Sequence, residues 1–257
     1  MRFCSLSSSS YANSVVIQDN RTCVLIDCGL RKRDIKPFLG SVGLSPGDID
    51  AVLVTHSHAD HVYGLKFLLK ENNVPVYSTA GVLREINSRY SFSMQPNFQV
   101  MQLFEEIGIG SMSLIPFRLS HDVETIGFFI KSGAERMGVI TDTGFVPDNC
   151  IKAFETLDYL YIESNHDIEM YRYSSKPRHV IKRNLGPNGH LSNGQCGEAL
   201  ESMGLNKCKL VTLAHLSEDD NNPSRALESA TRHLVPGTAL VCAPSRVPGR
   251  WSDLLLK

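Results

Sequence analysis

Between Ala51 and His61 the chain reads Ala-Val-Leu-Val-Thr-His-Ser-His-Ala-Asp-His. A run with the length and composition of a buried strand ends, and three histidines and one carboxylate follow within six residues. Packing alone does not account for such crowding. Imidazole and carboxylate together supply borderline nitrogen and hard oxygen donors suited to Zn²⁺, Mn²⁺ or Fe²⁺. A loop leaving a strand can aim these side chains at two neighbouring points, with a helix expected from about Val62 fixing its far end.

The rest of the chain supplies a sheet for that strand to join. Short apolar runs separated by turn signals predict strands at Ser14–Ile17, Thr22–Ile26, Gly127–Ile130, Met137–Ile140, Tyr159–Ile162, Lys209–Leu213 and Ala239–Val241. Helical spacing shows in Val62, Leu65, Leu68 and Leu69, and in Ala199, Leu200 and Met203 after an N-cap at Ser192 or Asn193. The first third opens with strands joined by short turns, and helices begin only near Ile35. A strictly doubly wound sheet therefore fits poorly, and an α/β arrangement of two mixed sheets with outer helices fits better. Ser7–Ser10 reads as a turn between the first two strands. No repeat, linker or composition break marks a boundary, so one domain over residues 1–257 is expected.

Composition limits the function classes. Lys plus Arg total 26 against 27 Asp plus Glu, so no bulk positive field advertises nucleic-acid binding, and any basic surface must be local. The first ten residues lack the apolar stretch of a signal peptide, and no apolar run is long enough to span a membrane. The seven cysteines, Cys4, Cys23, Cys28, Cys150, Cys196, Cys208 and Cys242, contain no C-x-x-C pair. Their odd number and apolar neighbours predict small core residues in a reducing, cytoplasmic setting.

The order T-H-x-H-x-D-H after an apolar strand resembles the signature of the metallo-β-lactamase superfamily, and the later motifs of that family have matches at Ser120-His121-Asp122, Thr141-Asp142-Thr143-Gly144 and Ala214-His215-Leu216. The resemblance implies an αβ/βα four-layer sandwich and two divalent metal ions per chain. His56, His58 and His121 would hold one ion, Asp60, His61 and His215 the other, and Asp142 would bridge them. Two ions about 3.5–4 Å apart lower the pKa of a bridging water and clamp the oxygens of an in-line displacement. Hydrolysis is the implied chemistry.

Within that superfamily, Glu163-Ser164-Asn165-His166-Asp167 and Gly189-His190-Leu191-Ser192-Asn193 resemble the YycJ/WalJ group of small cytoplasmic exonucleases and, more distantly, RNase Z. The interval from Asp142 to His215 is too short for a β-CASP insertion. The group resemblance implies a phosphodiesterase acting on nucleic acid, a 5′-to-3′ exonuclease at DNA ends. The alternatives are a small-molecule or cyclic phosphodiesterase, an RNase Z-like RNA-processing nuclease, and a non-catalytic regulator that retained the fold. Catalytic candidates are Asp60, Glu163, His190 and His166. His190 would protonate the leaving oxygen with Glu163 orienting it, and His166 competes for that role. Between the two motifs, Tyr171–Asn184 carries Arg172, Lys176, Arg178, Lys182 and Arg183 with Tyr171 and Tyr173, a composition suited to neutralising phosphates and stacking bases.

Overall fold

A computed structural model describes residues 1–148, 151, 154 and 156–257, so Cys150 lies outside the described residues. The chain divides into two compact units. One contains Met1–Pro116, Lys131–Ala134 and Pro244–Lys257, and the other contains Phe117–Ile130 and Glu135–Ala243.

The first unit is built on strands β1 (Arg2–Ser9), β2 (Ala12–Gln18), β3 (Cys23–Ile26), β4 (Ala51–Leu53), β5 (Val76–Ser78) and β6 (Phe98–Val100), hydrogen-bonded in that order. The first three pair antiparallel, and from β3 onward the pairing is parallel. In the parallel pair β3–β4, Ile26 stands opposite Leu53, which brings the loops leaving both strands to the same end of the sheet. That register decides where the site forms. Helices α1 (Lys32–Ser41), α2 (Ala59–Val62), α3 (Leu65–Glu71) and α4 (Ala80–Arg89) accompany the sheet. Leu25 and Val52 from the strands, with Val54 just beyond β4, pack with Leu65, Leu68, Leu69 and Ile86 from the helices in one buried core. The single helix expected from Val62 is two, α2 and α3, separated at Tyr63–Gly64. A Cβ on Gly64 would lie 2.4 Å from the Leu30 carbonyl oxygen, so the junction needs glycine for close approach.

The serine run departs from expectation. Ser7, Ser8 and Ser9 are not a turn; they lie buried within β1, opposite Ser14, Asn13 and Ala12, after a register shift between Ser5 and Ser7. Their polar character mimicked a loop, but the groups are satisfied locally. Ser7 and Ser9 donate their hydroxyls to the Ser245 carbonyl oxygen, and Ser8 N–H donates to Pro244 at 3.0 Å.

A second sheet runs in the order β13-β12-β11-β10-β9-β8-β7, with β7 at Ile107–Ile109, β8 at Met112–Leu119 and β9 at Thr125–Ser132. Then come β10 (Glu135–Ile140), β11 (Tyr159–Glu163), β12 (Leu210–Ala214) and β13 (Ala239–Cys242), mutually parallel. Ile140 stands opposite Ile162, and Glu163 opposite Ala214. Thr141-Asp142, Glu163-Ser164 and His215 therefore leave the second unit at one edge of its parallel strands, where such sheets present functional groups. Helices α5 (Ile168–Tyr171), α6 (Arg178–Asn184), α7 (Asn193–Ser202) and α8 (Pro223–Thr231) complete this unit. Helix α7 begins with the expected cap: Ser192 accepts from Gln195 N–H, and the Gln195 side chain accepts from Ser192 N–H. Two mixed sheets with helices are the architecture expected from sequence.

Candidate metal centre and active site

In the first unit the motif residues converge. The His56 ring centroid lies 4.7 Å from that of His58 and 4.0 Å from that of His61, and Asp60 Oδ2 is 3.4 Å from His61 Nε2. The loop is held from behind by Asp27, which the sequence reading passed over. Asp27 follows β3 and is buried; it accepts from Thr55 N–H at 2.8 Å, from the Thr55 hydroxyl at 2.7 Å and from His61 Nδ1 at 2.7 Å. Burial pushes the Asp27 carboxyl above the ordinary carboxylate range, against the pull of His61 and of the hydrogen bonds. Because Nδ1 of His61 gives its proton to Asp27, Nε2 presents a lone pair, the form a metal ligand requires. Asn13 Nδ2 is 3.0 Å from that Nε2 and donates to Asp60 Oδ2 at 3.1 Å.

The backbone around Asp27 is equally specific. A Cβ on Gly29 would lie 1.6 Å from the Asp60 carbonyl oxygen, while Cys28 N–H donates to His61 O at 2.7 Å. The segment Ile26-Asp27-Cys28-Gly29 thus clamps the motif. Its signal was present as a carboxylate ending an apolar strand and followed by glycine.

The second unit gathers His121, Asp142, Glu163, His190 and His215. One ligand atom each from Asp142, Glu163, His190 and His215 fits within 4.8 Å of the others. Glu163 is the hub. Its Oε1 accepts from His190 Nδ1 at 2.7 Å and from His215 Nδ1 at 2.8 Å, while Oε2 accepts Thr143 N–H at 3.0 Å and Leu191 N–H at 3.1 Å. Burial opposes ionisation of Glu163, but the charge and hydrogen bond of His190, with the hydrogen bond from His215, outweigh it and hold the carboxyl down at about 2. A fully ionised carboxylate fixes both rings with Nδ1 protonated, which leaves each Nε2 to face outward chemistry. His121 Nδ1 lies 3.0 Å from the Gly189 carbonyl, and His121 Nε2 is 4.0 Å from Asp142 Oδ1.

Three of these functional residues carry backbone strain. Asp27, Asp142 and His215 have φ of 58°, 56° and 54°, the left-handed region that favours glycine, and each follows the end of a parallel strand. His166 sits differently from His190. It is fully buried, packs edge-on against Tyr171 at 4.6 Å, and neither ring nitrogen has a hydrogen-bond partner among the described residues. Burial pushes its pKa down to about 4.

The donor chemistry of both units suits divalent ions. Each unit offers imidazole with at least one carboxylate, and in each a buried acid fixes a histidine tautomer.

The basic stretch is less uniform than its sequence. Arg172 pairs with Glu169 at 2.8 Å, Lys176 pairs with Asp220, and Arg183 pairs with Asp122 at 3.3 Å. Arg178 and Lys182, four residues apart on α6, are exposed and project without a carboxylate partner among the described residues. Tyr171 cannot serve as a stacking platform, because it is buried against His166 and its hydroxyl accepts from Asn184. Tyr173, 89% exposed, can. The described cysteines carry free thiols, and all but Cys242 are buried. Burial pushes Cys23, Cys28 and Cys196 up to about 12, and Cys4, Cys208 and Cys242 up to about 11, so these are packing residues.

Clusters of potential metal ligands at the ends of parallel strands in two mixed sheets define a class, and residues 22–215 match the β-lactamase superfamily domain: the chain belongs to that superfamily. Within it, the chain is 30% identical over 219 residues to exodeoxyribonuclease WalJ of Streptococcus pneumoniae serotype 2 (strain D39 / NCTC 7466), covering 84% of this chain and 81% of the relative. It is 27% identical over 235 residues to exodeoxyribonuclease YycJ of Bacillus anthracis, covering 91% and 89%. The crystal structure of the metallo-β-lactamase fold protein YhfI from Bacillus subtilis shares the fold, with a TM-score of 0.75 over 96% of this chain and 98% of that one at 16% identity.

Proposed function

We propose that this protein is a metal-dependent exonuclease that removes nucleotides from DNA ends in the 5′-to-3′ direction, in the cytoplasm. The observation that carries the reading is the Glu163–His190 pair beside Asp142, in a chain whose relatives over most of its length are exodeoxyribonucleases. Following the superfamily resemblance, His56, His58 and His121 are assigned to one ion, Asp60, His61 and His215 to the other, and Asp142 to both. Bound Zn²⁺ or Mn²⁺, with Fe²⁺ as a third option, supplies Lewis acidity and a water acidic enough to attack at neutral pH.

The chain's own residues do the rest. Asp27 and Glu163 hold His61 and His215 in the tautomer that offers Nε2. His190, also held through Nδ1 by Glu163, is placed to give a proton from Nε2 to the departing oxygen. The 2.7 Å contact with Glu163 Oε1 fixes the ring so that Nε2 faces away from the carboxylate. His166 is the weaker candidate for this step, since burial disfavours its protonated form. Exposed Arg178 and Lys182 are available to phosphates.

Purified protein with its metal content measured, incubated with DNA and RNA labelled at either end, tests the reading. Stepwise loss of 5′ label from DNA is the expected result. Cleavage confined to cyclic nucleotides, or to RNA, would replace it.

A further inference from the structure

Two cavities of the first unit are lined by cations the proposed chemistry does not use. The larger, of about 550 Å³, lies between α1 and α3 and is lined by Lys32, Arg33, Lys36, Lys66, Lys70 and Phe67, with Glu71 as its one carboxylate. Spacing of four residues puts Lys32 with Lys36 on one face of α1, and Lys66 with Lys70 on one face of α3. Glu71 is committed to Lys36 at 2.8 Å; Lys36 first, then Lys70 and Lys32, hold its carboxyl below the usual range. Lys32, Lys66 and Lys70 have no carboxylate within ion-pair distance among the described residues. Lys66 Nζ lies 5.0 Å from the Phe67 ring centre and 5.7 Å from that of Tyr63, an exposed aromatic two residues beyond His61.

The smaller cavity, of about 240 Å³, shares Arg33 and adds Arg31, Arg246 and Tyr11, with Asp34, 3.8 Å from Arg33, as its one carboxylate. Arg246 stacks over the exposed Tyr11 ring at 3.9 Å. Like charges four apart on a helix face destabilise it slightly, and a chain of net charge −1 has carboxylates to spare elsewhere. Cations concentrated around two cavities that share Arg33, and interleaved with aromatic rings, match the footprint of a polyanion carrying stackable bases.

We propose that these cavities form a track for the nucleic-acid phosphate backbone, additional to the Arg172–Arg183 stretch and running along α1 and α3, the latter directly following the metal motif. Both cavities are several times larger than a single phosphate, and Arg33 lines each, so they fit consecutive phosphates of a strand better than one isolated anion. The inference rests on the nuclease reading, and the experiment separates the two.

Affinity for 5′-labelled single-stranded DNA with a phosphorothioate-protected end is measured by anisotropy across a KCl series, using the metal-loaded protein, K66Q/K70Q, K32Q/R33Q and a charge-matched control, K207Q/K257Q. Each lost phosphate contact removes about 0.7 from the slope of log affinity against log salt for single strands, so either track variant should flatten it by about 1.4 while the control leaves it unchanged. An unchanged slope in both track variants at wild-type Tm, or an equal change in the control, overturns the track while leaving end-trimming by wild-type protein intact. A flattened slope with no loss of label from unprotected DNA supports the track and overturns the nuclease reading. Absence of DNA binding by wild-type protein overturns both.

Discussion

Replacing Asp27 by Asn isolates one hydrogen-bond role. The Asp27 carboxylate accepts three hydrogen bonds, from Thr55 N–H, the Thr55 hydroxyl and His61 Nδ1. In Asp27→Asn the amide oxygen can keep Thr55 N–H, and the amide nitrogen can donate to the Thr55 oxygen, so the loop loses little shape. What changes is His61. An N–H now faces Nδ1, which favours the tautomer with its proton on Nε2, the nitrogen 3.4 Å from the Asp60 carboxylate. A metal must displace that proton. Loss of such an orienting partner typically weakens metal affinity 10–100-fold, or about 1.4–2.7 kcal/mol. Zn²⁺ affinity is read by competition with a chromophoric chelator, Tm reports folding, and long-range ¹⁵N couplings assign the His61 tautomer. Asp27→Asn that retained wild-type Tm and bound Zn²⁺ within twofold of wild type would show that the Asp27–His61 contact has no bearing on metal binding.

Three further outcomes are expected. His190→Ala should cut kcat on a natural phosphodiester by about 10²–10⁴ with metal content unchanged, and a nitrophenolate leaving group, which needs no proton, should restore most of the rate. His166 is neutral when folded, with its pKa held at about 4 against an ordinary 6.5; the unfolded chain therefore binds the extra proton, and stability should decline as pH falls from about 6.5 toward about 4, by at most about 3 kcal/mol. His166→Phe should flatten that part of the denaturation-versus-pH curve, and an unaltered curve would contradict it. Gly29→Ala, whose Cβ would overlap the Asp60 carbonyl oxygen, should abolish metal retention after dialysis or prevent soluble expression, whereas Gly40→Ala, with open space around its Cβ, should do neither.

Much of the fold was legible because buried parallel strands such as Ala51–Leu53 and the Leu160–Ile162 part of β11 are apolar throughout and bounded by turn residues. The candidate metal ligands stood out because they cluster just after such runs. Strand β1 was not, since its paired and buried residues are serines whose hydroxyls find carbonyls more than 200 positions away, a partnership no local pattern records. Asp27 was missed for a related reason: a single acid at a strand end acquires meaning only when the parallel register of β3 and β4 sets it beside Thr55 and His61. Charge in the sequence did not record which cations find carboxylate partners. In the run from Arg172 to Arg183 three of five cations pair with Glu169, Asp220 and Asp122, while a second basic surface, with Lys36 paired to Glu71 and Arg33 to Asp34, is assembled from helices some thirty residues apart.

The left-handed backbone at Asp27, Asp142 and His215 has a consequence for protein engineering. At each position a side chain occupies a conformation that would cost glycine nothing and costs other residues about 1 kcal/mol or more. At Asp27 glycine would relieve that strain but strand three buried donors, so a library screened for heat resistance should retain the acid there. Backbone conformation alone is therefore a poor guide to where such a library should introduce glycine.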